Sequence, residues 1–253
     1  MSVGRHLNLN RLAIIGGWLF FGIAVIIAAY FAAAAERLYE RHAAVRLEPI
    51  YVDRFAADNS NLAWTEKTRV VIFGDSRVLQ WNPLPRAPNT QSISRGVPGE
   101  TVMQMRYRFE QDVLNLKPTI VIIQAGINDL VAVGAMPKGE RNSITDKTFS
   151  ILRTFVELSR KDGIRVIIAT VVRPAAVPIW RRLFWSDILN QVERLNKNIR
   201  SLAGEGIQIL DADELLTGGT QTINEAYSAD TLHFTQSGYR KLDEALTVIL
   251  EQK

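Results

Sequence analysis

A serine, a histidine and an aspartate in this chain stand where acyl-transfer chemistry would want them. Ser76 ends the run Gly74-Asp75-Ser76, directly after the apolar residues Val70-Val71-Ile72-Phe73. Asp230 and His233 lie three residues apart near the other end of the chain, where a turn can aim the carboxylate at the imidazole and hold its tautomer. A serine hydroxyl is a weak nucleophile until a base takes its proton. His233 is the one histidine beyond residue 42; His6 and His42 flank an apolar segment. A developing oxyanion needs preorganised donors, and the backbone N–H groups of Ser76 and Gly96 with the side-chain amide of Asn128 could supply three. Glycine at 96 lets backbone approach a substrate with no side chain in the way. Each residue also has a plain structural reading: Ser76 as a cap or turn residue, Asp75 and Asp129 as turn carboxylates, Asn128 as a loop residue, His233 as a surface histidine.

What decides between the two readings is the set of elements that position these residues. From residue 69 onward, short apolar runs alternate with helical patterns. Strands are expected at 69–73, 91–94, 119–124, 164–172 and 207–210. Helices are expected at 100–116, with Val102, Met105, Phe109, Val113 and Leu116 on one face, then from a Ser143/Asp146 capping box to residue 162, at 183–203 and at 235–251. Residues 58–61 read as a loop. Strands apolar on both faces and separated by helices imply a parallel sheet covered on both sides. In such a sheet every strand C-terminus lies on one edge, where ligands bind. Gly74-Asp75-Ser76 follows the first strand, Arg95-Gly96 the second, Gly126-Ile127-Asn128-Asp129 the third, and Asp230-Thr231-Leu232-His233 precedes the last helix. The topology therefore gathers all four clusters.

That ordered set resembles the SGNH (GDSL-type) hydrolases over roughly residues 69–251. The resemblance implies a flavodoxin-like three-layer α/β/α sandwich around a five-stranded parallel sheet, and metal-free ester hydrolysis. It implies Ser76 as nucleophile, His233 as base, Asp230 as its orienting partner, and Ser76, Gly96 and Asn128 as the oxyanion hole. Arg77 stands where the family's motif usually has Leu, and Arg95 where Asn is common. The first departure bears on the substrate more than on the chemistry; the second is milder.

Ahead of this domain, residues 12–35 carry no charge. At 1.5 Å per residue, 24 residues make a helix of about 36 Å, enough to cross a bilayer core. A cleavable signal peptide is the rival, since Ala33-Ala34-Ala35 resembles a cleavage site, but secretory apolar regions run to only about 7–15 residues. The expected organisation is an N-terminal tail (1–11), a transmembrane anchor (12–35), a juxtamembrane linker (36–68) and the hydrolase domain (69–253). Arginines flank the anchor on both sides, so charge leaves its orientation open. A net charge of +4 without a basic block gives no argument for nucleic acid. There is no cysteine for a disulfide or thiolate site, no Gly-rich nucleotide loop, and no metal-ligand spacing, so no cofactor is expected.

The segment 173–185 follows the fourth strand on the catalytic edge and mixes aromatics with Arg173, Arg181 and Arg182. It reads either as a helix start whose aromatics enter the core, or as a substrate platform. In the second reading Trp180 stacks on sugar or touches lipid and Arg173 meets anionic groups. Arg77 joins these as a residue of substrate preference. The function expected is a membrane-anchored serine esterase removing O-acyl, chiefly acetyl, groups from envelope or extracellular polysaccharide, with its domain outside the cytoplasmic membrane. The alternatives are a lysophospholipase or thioesterase acting on lipid, an acyltransferase to a sugar hydroxyl, and a catalytically silent scaffold.

Overall fold

The computed structural model describes residues 3–47, 51–63, 65–85, 89–179, 185 and 187–251. The chain divides into two compact units, residues 1–50 and 51–253. The first is one helix, α1 (Val3–Leu47). Its stretch Arg11–Glu40 is long and apolar enough to cross a membrane, by length and composition. Its apolar side chains, such as Trp18, Phe20 and Ile26, are largely exposed, as expected of a helix with no polar face.

The second unit is built on a five-stranded parallel sheet: β1 (Thr68–Gly74), β2 (Thr90–Gly96), β3 (Ile120–Gln124), β4 (Arg165–Ala169) and β5 (Ile207–Leu210), in the order β2-β1-β3-β4-β5. Between them lie α2 (Ala56–Ser60), α3 (Ser76–Leu79), α4 (Val102–Met105), α5 (Phe109–Asp112), α6 (Ile127–Gly134), α7 (Lys138–Lys161), α8 (Ile188–Arg200), α9 (Ala212–Thr217) and α10 (Gln236–Glu251). Alternation along β1 sends Val71 and Phe73 into one core layer and Val70 and Ile72 into the other. The first layer packs the sheet against α4 to α8; Phe109 and Phe155 stack there at 4.2 Å, with Phe73 edge-on to both. The second packs it against α3, α9 and α10 through Val78, Leu216, Leu242 and Leu246. This is the expected three-layer sandwich.

Several expectations are corrected. The 100–116 segment is not one helix but α4, α5 and a 3-10 turn at Leu114–Leu116. Its apolar stripe is buried as read, but the breaks turn Arg108 inward onto Glu100 and Asp112. Ser143 and Asp146 do not open a helix. The N-cap of α7 is Pro137, six residues earlier, the Ser143 hydroxyl donates to the Glu140 carbonyl, and Asp146 pairs with Arg194. Residues 56–60 are helical where a loop was expected, and α9 was not foreseen. Asn59 of α2 donates to the Asp112 carboxylate at 2.8 Å and accepts from Arg95, whose guanidinium lies 4.7 Å from the Phe55 ring centroid. Residues 51–63 are thus tied to the domain by bonds that no local pattern encodes.

Candidate active site

The turn after β1 is set by Asp75. Its Oδ1 accepts the Arg77 N–H at 2.9 Å, which starts α3 and leaves Ser76 half-buried at the C-terminal edge of the sheet. Asp75 itself is fully buried, and that burial pushes its carboxyl above the usual range against the pull of Arg77. Asp75 therefore caps a turn and does not face solvent.

His233 reaches the same edge from the loop between β5 and α10. Its Nε2 lies 3.0 Å from Ser76 Oγ, and its Nδ1 lies 2.8 Å from Asp230 Oδ2. With the Nδ1 proton donated to Asp230, the Nε2 lone pair faces the serine hydroxyl. The other Asp230 oxygen accepts the N–H groups of Leu232 and His233 at 2.7 and 2.8 Å. Partial burial pushes this carboxyl up, but the two amides and the imidazole outweigh it and hold it at about 2. Asp230 is thus ionised wherever the imidazole can be neutral. Residues separated by 157 positions form one hydrogen-bonded line.

Gly96 ends β2 beside this turn. A Cβ there would meet the Leu79 N at 2.3 Å and the Asp75 carbonyl at 2.9 Å. The glycine is needed for the close approach of α3, a different reason from access to substrate. Gly126, with φ +117, lets the chain turn from β3 into α6 and brings Asn128 into the first helical turn. Asn128 is half-buried, and its Nδ2 donates to the Glu100 carbonyl at 3.0 Å, which leaves its second amide hydrogen for another acceptor. Asp129 is buried; its carboxylate accepts the Val102 amide at 2.8 Å and the Thr148 hydroxyl at 3.3 Å.

Two of the residues expected to meet substrate, Arg77 and Arg173, are bonded within the protein. Arg77 is 2% exposed. Its Nε donates to the Leu232 carbonyl at 2.9 Å, its Nη2 to the Val172 carbonyl at 3.1 Å, and the guanidinium covers the Phe234 ring at 4.7 Å. It braces the loop that carries His233, because buried carbonyls there need donors. Arg173 is held by Asp213 at 3.4 Å and by the Thr220 carbonyl at 2.7 Å. Trp180 lies outside the described residues. Beside the catalytic loop, a cavity of about 630 Å³ is lined by Ala175, Val177, Trp185 and Ile188 among others. Its wall is joined to that loop by the Ala175 N–H, which donates to the Thr231 carbonyl at 3.0 Å.

Sequence reasoning missed Glu100 and Arg108. Both are buried, and they pair at 2.5 Å under the ends of β1 and β2. The available signal was a charged residue bordering an apolar stripe, with carboxylates eight positions before it and four after it.

Comparison with known proteins finds the same fold. A GDSL-like lipase from Bacteroides thetaiotaomicron superimposes with a TM-score of 0.68 at 30% identity, covering 79% of this chain and 97% of the other. The acetylxylan esterase Axe2 of Geobacillus stearothermophilus shares the fold, with a TM-score of 0.56 at 18% identity over 74% and 95% of the two chains. The lipoprotein YqeF of Bacillus subtilis, itself uncharacterized, is 32% identical over 119 residues, 41% of this chain; the match spans about half (48%) of that relative's length. The sequence profile of the GDSL-like Lipase/Acylhydrolase family matches residues 73–241. With that match over most of the folded domain and a parallel sheet that carries the family's motifs on one edge, the chain belongs to the GDSL-like lipase/acylhydrolase family of ester hydrolases.

Proposed function

We propose that this ester hydrolase is a membrane-anchored serine esterase that removes O-acyl groups, chiefly acetyl, from envelope or extracellular polysaccharide. The observation that carries the chemistry is the line Ser76 Oγ–His233 Nε2–Asp230, at 3.0 and 2.8 Å. His233 takes the Ser76 proton as Oγ attacks the ester carbonyl. The oxyanion rests on the N–H groups of Ser76 and Gly96 and on the Asn128 amide. His233 then gives its proton to the departing sugar oxygen, which leaves as the free hydroxyl, and an acyl-serine remains. Water, deprotonated by His233, attacks the acyl carbon, and the acid leaves with Ser76 restored.

The anchor is α1, and the glycan assignment draws on the acetylxylan esterase that shares the fold. The catalytic domain then lies outside the cytoplasmic membrane, where acylated polysaccharide is found. The apolar lining of the cavity beside the catalytic loop favours one second reading, hydrolysis of a lipid ester whose acyl chain enters it. p-Nitrophenyl esters of increasing chain length separate the two. Activity highest on acetate supports the glycan reading; a maximum at eight carbons or more replaces it with the lipid one. Ser76→Ala should lower kcat by about 10⁴-fold or more and abolish fluorophosphonate labelling. Unchanged turnover in that variant would rule out the serine mechanism.

A further inference from the structure

Arg108 is fully buried, and its guanidinium is saturated. Nε donates to the Glu100 carboxylate at 2.8 Å. Nη1 donates to the Arg95 carbonyl at 3.1 Å and to Asp112 Oδ2 at 3.0 Å. Nη2 donates to the Gly74 carbonyl at 3.2 Å and to Glu100 Oε2 at 2.5 Å. The face of the cation lies 4.4 Å from the Phe73 ring centroid. All five N–H groups of the fork are used.

Two of these acceptors lead to the reacting atoms. The Arg95 carbonyl belongs to the same peptide unit as the Gly96 N–H. That unit is planar and trans, so fixing its oxygen fixes the direction of its N–H. A charged donor on the carbonyl also polarises the amide and makes the N–H a stronger donor. The Gly74 carbonyl closes β1 immediately before Asp75-Ser76. The third link runs through Glu100, whose carboxylate is held by Arg108 and whose backbone carbonyl orients the Asn128 amide at 3.0 Å.

We propose that Arg108 is the positioning residue of the oxyanion hole: one guanidinium sets the Ser76, Gly96 and Asn128 donors relative to one another. The proposal rests on the esterase mechanism above. It assigns Arg108 no contact with substrate. A lysine carries the charge, but its single ammonium cannot span two strand carbonyls and two carboxylates lying around a planar fork.

The full-length chain in detergent micelles, wild type and Arg108→Lys, tests it with p-nitrophenyl acetate, active sites being counted by fluorophosphonate labelling taken to completion. In Arg108→Lys, kcat per labelled site should fall about 10- to 100-fold, with KM nearly unchanged. A trifluoromethyl ketone, whose tetrahedral adduct places an oxyanion in the hole, should bind more weakly by the same factor. The pH midpoint of kcat/KM should not move, because the base is untouched. Leu246→Ala, in the core on the other face of the sheet, supplies a destabilised control that keeps its kcat. Arg108→Lys with wild-type kcat per site and undiminished ketone binding overturns the proposal and leaves the esterase reading intact. A wild type that neither labels at Ser76 nor hydrolyses any ester overturns both. Should Arg108→Lys fail to fold, Glu100→Gln, which keeps Arg108 on both strand carbonyls while loosening the fork, takes its place. Loss of kcat with ketone affinity then supports the proposal, and loss of neither overturns it.

Discussion

At the scale of single residues, the site is set by where carboxylates are allowed to be charged. Asp230 is half in solvent and crowded by N–H donors, so it stays ionised and orients His233. Asp129, one residue beyond Asn128, is the opposite case. Burial drives its carboxyl up to about 7, against the pull of the Val102 amide. The folded state therefore favours its protonated form over the unfolded chain, in which the group titrates near 3.9. That contribution is full below about pH 4 and is lost as pH rises through about 7. Asp129→Asn, an isostere of the protonated acid, should raise Tm by an amount that grows from near zero at pH 4 to about 10 °C at pH 8. Thermal melts across that range check it; a gain that does not vary with pH would refute the titration. Ser76, His233 and Asp230 were legible as residue types at their spacing. Arg77 was read as a residue of substrate preference because it stands where the family's motif usually has Leu. Its burial depends on carbonyls from residues 172 and 232, which no local window contains.

At the scale of elements, strand ends are fitted to the helices that follow them. α3 lies so close to β2 that residue 96 has no room for a Cβ. Gly96→Ala should push α3, and Ser76 with it, away from the hole. Such a displacement lowers kcat about 100-fold and lowers Tm as well. Gly139→Ala, at an open position in the first turn of α7, should keep full activity and hold or raise Tm. Crystal structures and kinetics of the two variants distinguish close packing from glycine loss in general. The order of the five strands and of the long helices α7, α8 and α10 followed from periodicity, whereas α2, α6 and α9 did not. The breaks in the 100–116 segment did not, because its apolar stripe is continuous through them. The reason to break is the burial of Arg108 between Glu100 and Asp112, a three-residue charge cluster whose worth appears only in the folded layer.

At the scale of the whole molecule, residues 51–253 form one compact unit. Asn59 and Phe55 are bound to Arg95 and Asp112, which adjoin the cluster around Arg108. A fragment of residues 51–253 should fold with the Tm and kcat of the detergent-solubilised chain. A fragment of residues 69–253 uncovers Arg95 and takes one donor from Asp112; its Tm should fall by roughly 5–10 °C. Calorimetry of both fragments measures the difference, and equal melting temperatures would show residues 51–68 to be a mere linker. The domain's fold class was legible because parallel strands buried on both faces leave long apolar runs. The attachment of α2 was not, since α2 is polar in sequence and is bonded to residues 36 to 53 positions away.

The 157-residue span between Ser76 and His233 also has a meaning in time. A ribosome delivers α1 first, then β1 with its serine, then β2 and β3, which can pair beside it. The histidine arrives only with the segment that leads into α10. Until that helix docks, a nascent chain displays a serine without a base, in a sheet still open on one face. Under the proposed Ser76–His233 mechanism, the enzyme is therefore silent throughout its own synthesis, and the step that completes its core is also the step that switches on its chemistry.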